Sequence, residues 1–134
     1  MINGINHITI SVKNIETAFI FYRDLLELKP IMKSKFSSYF LAGKTWIALN
    51  QSETFIPSIN YAHICFNISK NNFDKIKRKI HKTNVKEWQE NKTEGESIYI
   101  LDDSGNKLEI HYSNIKNRIK HGKKQWGEEI QWFI

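Results

Sequence analysis

Hydrophobic and polar residues alternate along two stretches of the chain, residues 5–12 and 62–68. Alternation with a period of two is typical of a strand with one face in the core and the other face outside it. A histidine begins the polar face of each stretch, His7 in the first and His63 in the second. The pattern therefore predicts two related strands whose histidines lie on equivalent faces.

An amphipathic helix is predicted after each of these strands. Asn14 is a potential N-cap, apolar residues recur at helical spacing through residues 18–26, and Lys29-Pro30 is expected to end the helix. In the second half, Ser69 or Asn71 is the potential cap. The apolar positions of that second helix are Phe73, Ile76 and Ile80.

Further strands complete each half. They are residues 38–41 and 46–49 around a turn at Gly43, and then residues 85–88, 97–101 and 107–111 with a turn at 102–105. A unit that occurs twice in one chain indicates a repeated module. The sequence thus predicts an α+β fold of paired βαβββ modules that form a curved, barrel-like sheet with the helices outside.

The length fits one domain, residues 1–134, with the two modules at residues 4–50 and 58–112. Residues 113–134 follow the repeat as a C-terminal tail. Aromatic side chains end this tail, so we expect it to dock on a surface such as a partner subunit. These aromatics are Trp126, Trp132 and Phe133.

The net charge of +6 attracts anions, and much of it lies in the run from Lys70 to Lys86. A solvated helix face explains this run, because nucleic-acid binding would need interleaved aromatics and only Phe73 is present. The single cysteine, Cys65, excludes an internal disulfide. With no signal-peptide pattern and no membrane-length apolar stretch, we expect a cytoplasmic protein without nucleic-acid or membrane partners.

Two histidines and one glutamate are predicted to share the polar face of the sheet. In the last strand Leu108 and Ile110 point to the core, so Glu109 points the other way, as His7 and His63 do. Two imidazoles and a carboxylate bind a divalent metal ion and leave coordination positions open for substrate. This ligand set leaves Mn²⁺, Mg²⁺, Fe²⁺, Zn²⁺ and Ni²⁺ open.

The first half supplies no second carboxylate. Aligned from Gly43, the counterpart of Glu109 is Ile47. His111 shares the face of Glu109 and could support a ligand from behind. The remaining histidines fall outside the predicted set, with His81 in the basic helix and His121 in the tail.

Five segments together resemble the vicinal-oxygen-chelate superfamily of glyoxalases, extradiol dioxygenases and bleomycin-binding proteins. More narrowly, the chain resembles the fosfomycin-resistance metallothiol transferases, the FosA/FosB class, from Ile2 to about Arg118. The segments are Gly4–Thr9, Tyr39–Asn50, Tyr61–Ile64, Glu96–Tyr99 and Gly105–His111.

The resemblance implies a homodimer in which modules pair across subunits, so that His7 of one chain completes the site of the other. It implies Mn²⁺ as the usual metal and fosfomycin as the substrate, chelated through a phosphonate oxygen and the epoxide oxygen. A small thiol, which is cysteine, bacillithiol or glutathione, is added to an epoxide carbon. The donor thiol stays open on the sequence.

The resemblance also assigns roles to side chains around the metal. Thr9 and Tyr39 are implied to act in catalysis, Tyr39 near the incoming thiol, and Glu109 is implied to assist proton transfer in addition to binding metal. A metal-bound carboxylate is a poor base, which argues against that last role. The implied substrate contacts are Thr9, Trp46, Tyr61, Lys92, Ser97, Tyr99 and Arg118, and the implied potassium loop is Asn91, Thr93, Gly95 and Ser97.

Three other functions are compatible with the same superfamily. A fosfomycin epoxide hydrolase would need a carboxylate base between the first helix and the Trp46 strand, but residues 28–52 contain no Asp or Glu. A drug-sequestering protein of the bleomycin-resistance type would lack the three metal ligands. A glyoxalase or dioxygenase would not need the phosphonate contacts. We therefore expect a thiol transferase.

Overall fold

The computed structural model describes all residues, 1–134, as two similar halves followed by a helix. The first half contains β1 (His7–Val12), α1 (Ile15–Ile20) with a continuing π-helical turn (Phe21–Leu25), β2 (Lys29–Lys33), β3 (Ser37–Ala42) and β4 (Thr45–Gln51). The second half contains β5 (Ile64–Asn67), α2 (Lys70–His81), β6 (Glu87–Gln89), β7 (Glu96–Leu101) and β8 (Lys107–Tyr112). Helix α3 (Ile115–Gln125) follows.

Each half forms its own four-stranded mixed sheet. The strand orders are β1-β4-β3-β2 and β5-β8-β7-β6, and in each sheet the first pair is parallel while the other pairs are antiparallel. The predicted α+β fold of paired βαβββ modules is confirmed. Within one chain, however, the sheets remain two separate units and do not close into a barrel.

The structure contains the predicted alternation and helix caps. Along β1 the apolar face is the buried face, with Ile10 at 5% and Val12 at 0% exposure. The Asn14 side chain accepts hydrogen bonds from two backbone N–H groups of the first turn of α1, at 2.9 and 3.0 Å. Ser69, rather than Asn71, caps α2.

The predicted end of the first helix was wrong. The helical segment ends at Leu25, and Glu27 then adopts the left-handed conformation with φ 56°. Lys29-Pro30 belongs instead to β2, a strand that the sequence pattern had not indicated. Because β2 is the edge strand of its sheet, Pro30 is tolerated there without an N–H group to donate.

A buried polar cluster joins the two halves at the β7–β8 turn. The Tyr22 hydroxyl donates to Asp102 Oδ2 at 2.8 Å, and both residues are buried. From the same turn, Asn106 Nδ2 donates to the Ser11 carbonyl at 2.8 Å, and Ser104 Oγ accepts from the backbone N–H that follows β1 at 2.8 Å. Burial, and then the charge of Asp102, raises the pKa of Tyr22 well above its ordinary 10.0, so the phenol keeps its proton.

The C-terminal tail contains helix α3 and folds back on itself. Gly122 is buried under Trp126, and a Cβ atom there would come within 2.6 Å of that ring. Trp126 stacks on Trp132 with ring centroids 6.0 Å apart, and the Arg118 guanidinium lies 5.7 Å from the Trp126 centroid. Docking of the tail on a partner subunit stays a prediction. None of the helices combines the length and the apolar character that crossing a bilayer requires.

Candidate active site

Glu109 lies at the centre of a polar cluster on the second sheet. Its strand places it opposite Cys65 on β5 and Tyr99 on β7, and only 8% of its surface is exposed. Glu109 Oε2 is 2.9 Å from His63 Nε2, and Glu109 Oε1 accepts a hydrogen bond from Ser97 Oγ at 2.5 Å. The structure thus brings together four of the predicted site residues, which are His63, Ser97, Tyr99 and Glu109.

The surroundings of Glu109 favour its charged form. Burial alone would raise its pKa, but the hydrogen bonds from Ser97, His63 and Tyr99 outweigh burial, and His111 adds a smaller charge effect. The net result is a pKa below the ordinary value of 4.5. Glu109 is therefore a carboxylate near neutral pH, suited to binding a cation and poorly suited to accepting a proton.

His63 directs its Nε2 atom to the same point. Its Nδ1 is 2.8 Å from the Tyr61 carbonyl oxygen, which can only accept, so Nδ1 holds the hydrogen of the neutral ring. A cation bound beside Glu109 would accept the Nε2 lone pair of that ring. Two atoms that share a metal ion at about 2.1 Å lie about 3 Å apart in neighbouring coordination positions, so the 2.9 Å separation and this donor pair fit a divalent metal.

A second cluster occupies the corresponding face of the first sheet. The His7 ring lies 4.5 Å from Trp46, and Tyr39 packs against Trp46 at 5.0 Å, both measured between ring centroids. Thr9 follows on the same face, paired with Ala48. The Trp46 Nε1 is buried without a hydrogen-bond partner. The predicted catalytic residues Thr9 and Tyr39 therefore lie beside His7 and not beside Glu109.

The two clusters do not meet in a single chain. No group of three histidine, cysteine, aspartate or glutamate side chains is arranged to hold a metal ion, because His7 is on the first sheet and the His63–Glu109 pair is on the second. A three-ligand centre of His7, His63 and Glu109 accordingly requires two copies of the chain. It stays a prediction.

The predicted counterpart of Glu109 in the first half was wrong by one residue. Glu109 pairs with Tyr99, and the equivalent pair in the first sheet is Ala48 with Tyr39, whereas Ile47 is buried in the core. The cause is a difference in loop length between the two halves. Four residues, 42–45, connect the paired residues Leu41 and Trp46, whereas five residues, 102–106, connect the equivalent pair Leu101 and Lys107. A shift of one residue reverses the face of a strand. The conclusion that the first half supplies no carboxylate holds.

The remaining predicted residues are two substrate contacts, Lys92 and Arg118, and the potassium loop. Lys92 lines an open cleft beside it, in which Gln89 Nε2 donates to the Tyr61 hydroxyl at 2.9 Å. Asn91 Nδ2 donates to the Gly95 carbonyl at 2.8 Å, which closes the predicted potassium loop into a turn. Arg118 is on α3 against Trp126.

Two further residues belong to the cluster, Trp88 and His111. Trp88 packs against His63 and Tyr99, each with ring centroids 5.2 Å apart, and its Nε1 donates to the Leu108 carbonyl at 3.0 Å. His111 Nδ1 lies 2.6 Å from Ser97 Oγ. The alternation of β8 had placed His111 on the face of Glu109, whereas no sequence signal marked Trp88.

A cavity of about 790 Å³ lies elsewhere, between the apolar sides of the two halves. Its walls include Ile8, Ile47, Ile64 and Phe66, and none of the predicted metal or substrate residues lines it. This cavity and the predicted site residues therefore occupy different regions of the molecule.

Cys65 faces Glu109 but is not an activated nucleophile. Burial, and then the charge of Glu109, raises the pKa of its thiol from 9.0 to about 12. Because only the thiolate reacts, we expect Cys65 in the metal-free protein to be alkylated by iodoacetamide much more slowly at pH 8 than a free cysteine. Alkylation rates followed by mass spectrometry from pH 7 to 11 check this, and a midpoint at or below 9 would contradict it.

Comparison with known proteins identifies relatives over nearly the whole chain. Residues 4–110 match the family described as Glyoxalase/Bleomycin resistance protein/Dioxygenase superfamily. The metallothiol transferase FosB of Staphylococcus epidermidis is 38% identical over 129 residues, which cover 92% of this chain and 93% of that protein. The glutathione transferase FosA of Serratia marcescens is 28% identical over 123 residues, which cover 89% and 87%.

A solved structure agrees with these relationships. The fosfomycin resistance protein FosX of Listeria monocytogenes, complexed with Mn(II) and sulfate, superposes with a TM-score of 0.77 at 27% identity, covering 90% of this chain and 98% of that one. A mutant of that protein is known with Mn(II) and 1S,2S-dihydroxypropylphosphonic acid. The chain belongs to the glyoxalase/bleomycin resistance protein/dioxygenase superfamily and, within it, to the family of the FosB metallothiol transferases.

Proposed function

We propose that this protein inactivates fosfomycin by metal-dependent addition of a small thiol to the epoxide. The observation that carries the proposal is the pair formed by His63 Nε2 and Glu109 Oε2, 2.9 Å apart on the polar face of the second sheet. The relationship to proteins named metallothiol transferase and glutathione transferase supplies the reaction class.

The metal would be held by His63 and Glu109 of one chain and His7 of a second copy. Mn²⁺ is favoured, since the FosX structure contains Mn(II). When bound, the cation supplies a Lewis acid that stabilises the negative charge developing on the epoxide oxygen. The homodimer that the resemblance implied is needed for this arrangement, because a single chain keeps His7 on a separate sheet.

The protein's own residues bind and orient the substrate. Tyr99 keeps its phenolic proton, because burial raises its pKa, and can donate it to a phosphonate oxygen. Lys92 and Arg118 are the proposed cationic partners of the phosphonate, and Ser97 contributes through its bond to Glu109. Trp46 and Tyr61 are the proposed walls of the pocket.

The thiol is proposed to approach from the side of the first-sheet cluster. There, the Tyr39 hydroxyl would orient the incoming sulfur, with Thr9 on the same face. In the reaction a carbon–sulfur bond forms, the carbon–oxygen bond of the epoxide breaks, and the thiol proton ends on the released oxygen. Glu109 is not assigned the role of base, since its pKa is lowered.

Two accessory features complete the proposal. The turn formed by Asn91, Thr93 and Gly95 is a candidate K⁺ site, supported by oxygen atoms that already converge there, with Thr93 Oγ1 donating to Asn91 Oδ1 at 3.0 Å. We also place the protein in the cytoplasm, where small thiols are abundant and a lone cysteine stays reduced.

Hydrolysis is the alternative that the structural relatives make worth testing. The Listeria FosX mutant contains a dihydroxypropylphosphonic acid, the diol that water addition to the epoxide would give. Here the segment 28–52, which contains β2, β3 and β4, has no carboxylate to activate water, and Glu27 just before it pairs with Lys79 at 3.0 Å. The absence of this base favours thiol addition.

Mass spectrometry distinguishes these reactions. Protein loaded with Mn²⁺ is incubated with fosfomycin and, separately, cysteine, bacillithiol or glutathione. We expect an adduct whose mass is the sum of drug and thiol with at least one of them. Retained metal without any adduct would contradict thiol transfer, a product heavier than the drug by one water would indicate hydrolysis, and stoichiometric binding of unchanged drug would indicate sequestration.

A further inference from the structure

His111 lies in the Glu109 cluster, but the proposed reaction gives it no role. It is on the same strand as Glu109 and the same face, and its Nδ1 is 2.6 Å from Ser97 Oγ. Ser97 Oγ is in turn 2.5 Å from Glu109 Oε1. The three side chains therefore form one continuous hydrogen-bonded chain that ends on the carboxylate.

The direction of this chain follows from the number of hydrogens. A serine hydroxyl has one hydrogen, and a carboxylate oxygen can only accept, so Ser97 donates to Glu109 Oε1. The Ser97 oxygen must then accept from His111, which makes Nδ1 of His111 an N–H donor. The two oxygen atoms of Glu109 therefore have different partners. Oε1 accepts a hydrogen bond from Ser97, and Oε2 faces His63.

The loop before β7 packs against the His111 ring. Gly95 has φ +81°, and a Cβ atom there would lie 2.9 Å from His111 Cε1 and 2.7 Å from Ser113 Cβ. The neighbouring Glu94 accepts a hydrogen bond from Ser113 Oγ at 2.7 Å, which ties the loop to the residues after β8. Only glycine allows this close approach in this conformation, so the ring is confined beside Ser97.

We propose that His111 is a positioning residue that acts through Ser97 to fix Glu109 Oε1, so that Oε2 is directed to the cation shared with His63. This inference rests on the proposed metal centre. It assigns His111 to the support of a ligand, because its Nδ1 lies 2.6 Å from Ser97 Oγ and 3.7 Å from Glu109 Oε1. Groups that orient a metal ligand typically contribute about ten- to a hundredfold to metal affinity.

Two substitutions of similar polarity test the proposal. His111→Asn places an amide N–H close to the position of Nδ1, whereas His111→Gln places it near Nε2 and out of reach of Ser97. Mn²⁺ affinity is measured by titration, following the signal of free Mn²⁺ by electron paramagnetic resonance. We expect His111→Asn to bind Mn²⁺ like the unaltered chain and His111→Gln to bind it about tenfold more weakly.

A double-mutant cycle tests the route through Ser97. Ser97→Ala alone should weaken Mn²⁺ binding, and adding His111→Gln to it should cause little further loss, since the two residues act in series. The proposal is overturned if the two His111 variants bind Mn²⁺ with equal affinity, whether or not that affinity is weakened. It is also overturned if the losses of the two single variants add up in the double variant. If His111→Gln fails to fold, the proposal still requires that His111→Asn binds Mn²⁺ like the unaltered chain and that Ser97→Ala binds it more weakly.

Two controls separate this inference from the metal centre itself. His81→Gln alters an exposed histidine of α2 and should leave Mn²⁺ affinity unchanged. His63→Ala should abolish binding. If His63→Ala keeps its Mn²⁺, the metal centre is wrong and the role of His111 is rejected with it, whereas loss in His63→Ala together with normal binding in His111→Gln rejects the positioning role alone.

Discussion

The His63→Ala variant is expected to lose its bound divalent metal while keeping its fold. The ring points away from the core, and its contacts are Glu109 and the surrounding aromatic residues, so few core contacts are lost. Without Nε2, one of the two proposed metal ligands on the second sheet is lost. Loss of a Lewis acid worth several kcal/mol in the transition state corresponds to a fall in rate of about 10³-fold or more.

The measurement combines metal analysis with adduct formation. After incubation with Mn²⁺ and desalting, metal per chain is determined by mass spectrometry, and the unfolding midpoint of the metal-free protein is compared with that of the unaltered chain. His81→Ala is the matched control, because it removes an exposed imidazole of α2 whose ion-pair partner, Glu87 at 3.8 Å, is not one of the proposed site residues. Stoichiometric metal in His63→Ala would rule out the proposed ligand set.

The sequence predicted the elements whose signal is local. Period-two alternation located β1, β5 and β8 and correctly separated their core faces from their polar faces. It failed for β2, because Lys29-Pro30 resembles a helix end and the strand lies at a sheet edge, where it buries little. Edge strands leave a weak hydrophobic pattern, and tertiary pairing decides their structure.

The candidate site was predictable only in part, for a related reason. Alternation placed Glu109 and His63 on one face, but their actual contact depends on the register of β5 against β8, which no local pattern specifies. Aligning the halves from their glycines moved the register by one residue and selected Ile47, which the structure buries in the core. The Ser97–His111 contact depends in the same way on the pairing of β7 with β8.

The distribution of the candidate site residues over two sheets makes the orientation of the two halves important. One sheet carries His7, Thr9 and Tyr39, and the other carries His63 and Glu109. If two copies of the chain combine these clusters, each chain must hold its own two sheets at a fixed angle. The polar cluster around Asp102 is the buried hydrogen-bonded contact that crosses between them.

Asp102→Ala is expected to destabilise the protein by about 3–5 kcal/mol, the range for breaking a buried charged network from one side. Asp102 is 5% exposed and accepts from the Tyr22 hydroxyl, the Ser104 and Asn106 backbone N–H groups and the Asn106 side chain. Alanine would leave these buried donors without an acceptor. For a chain of this size the unfolding midpoint should fall by about 10 °C or more.

Asp103→Ala provides the matched comparison, since it removes the adjacent carboxylate of the same turn. Asp103 is exposed and accepts one hydrogen bond, from Thr17 Oγ1 at 2.7 Å, so the expected loss is below about 1 kcal/mol. Denaturant unfolding of both variants measures the difference, and equal losses would show that the buried cluster is not what holds this turn. Because Asn106 and Ser104 of the turn fasten the end of β1, a looser junction should also weaken the contribution of His7 to a site shared between two chains.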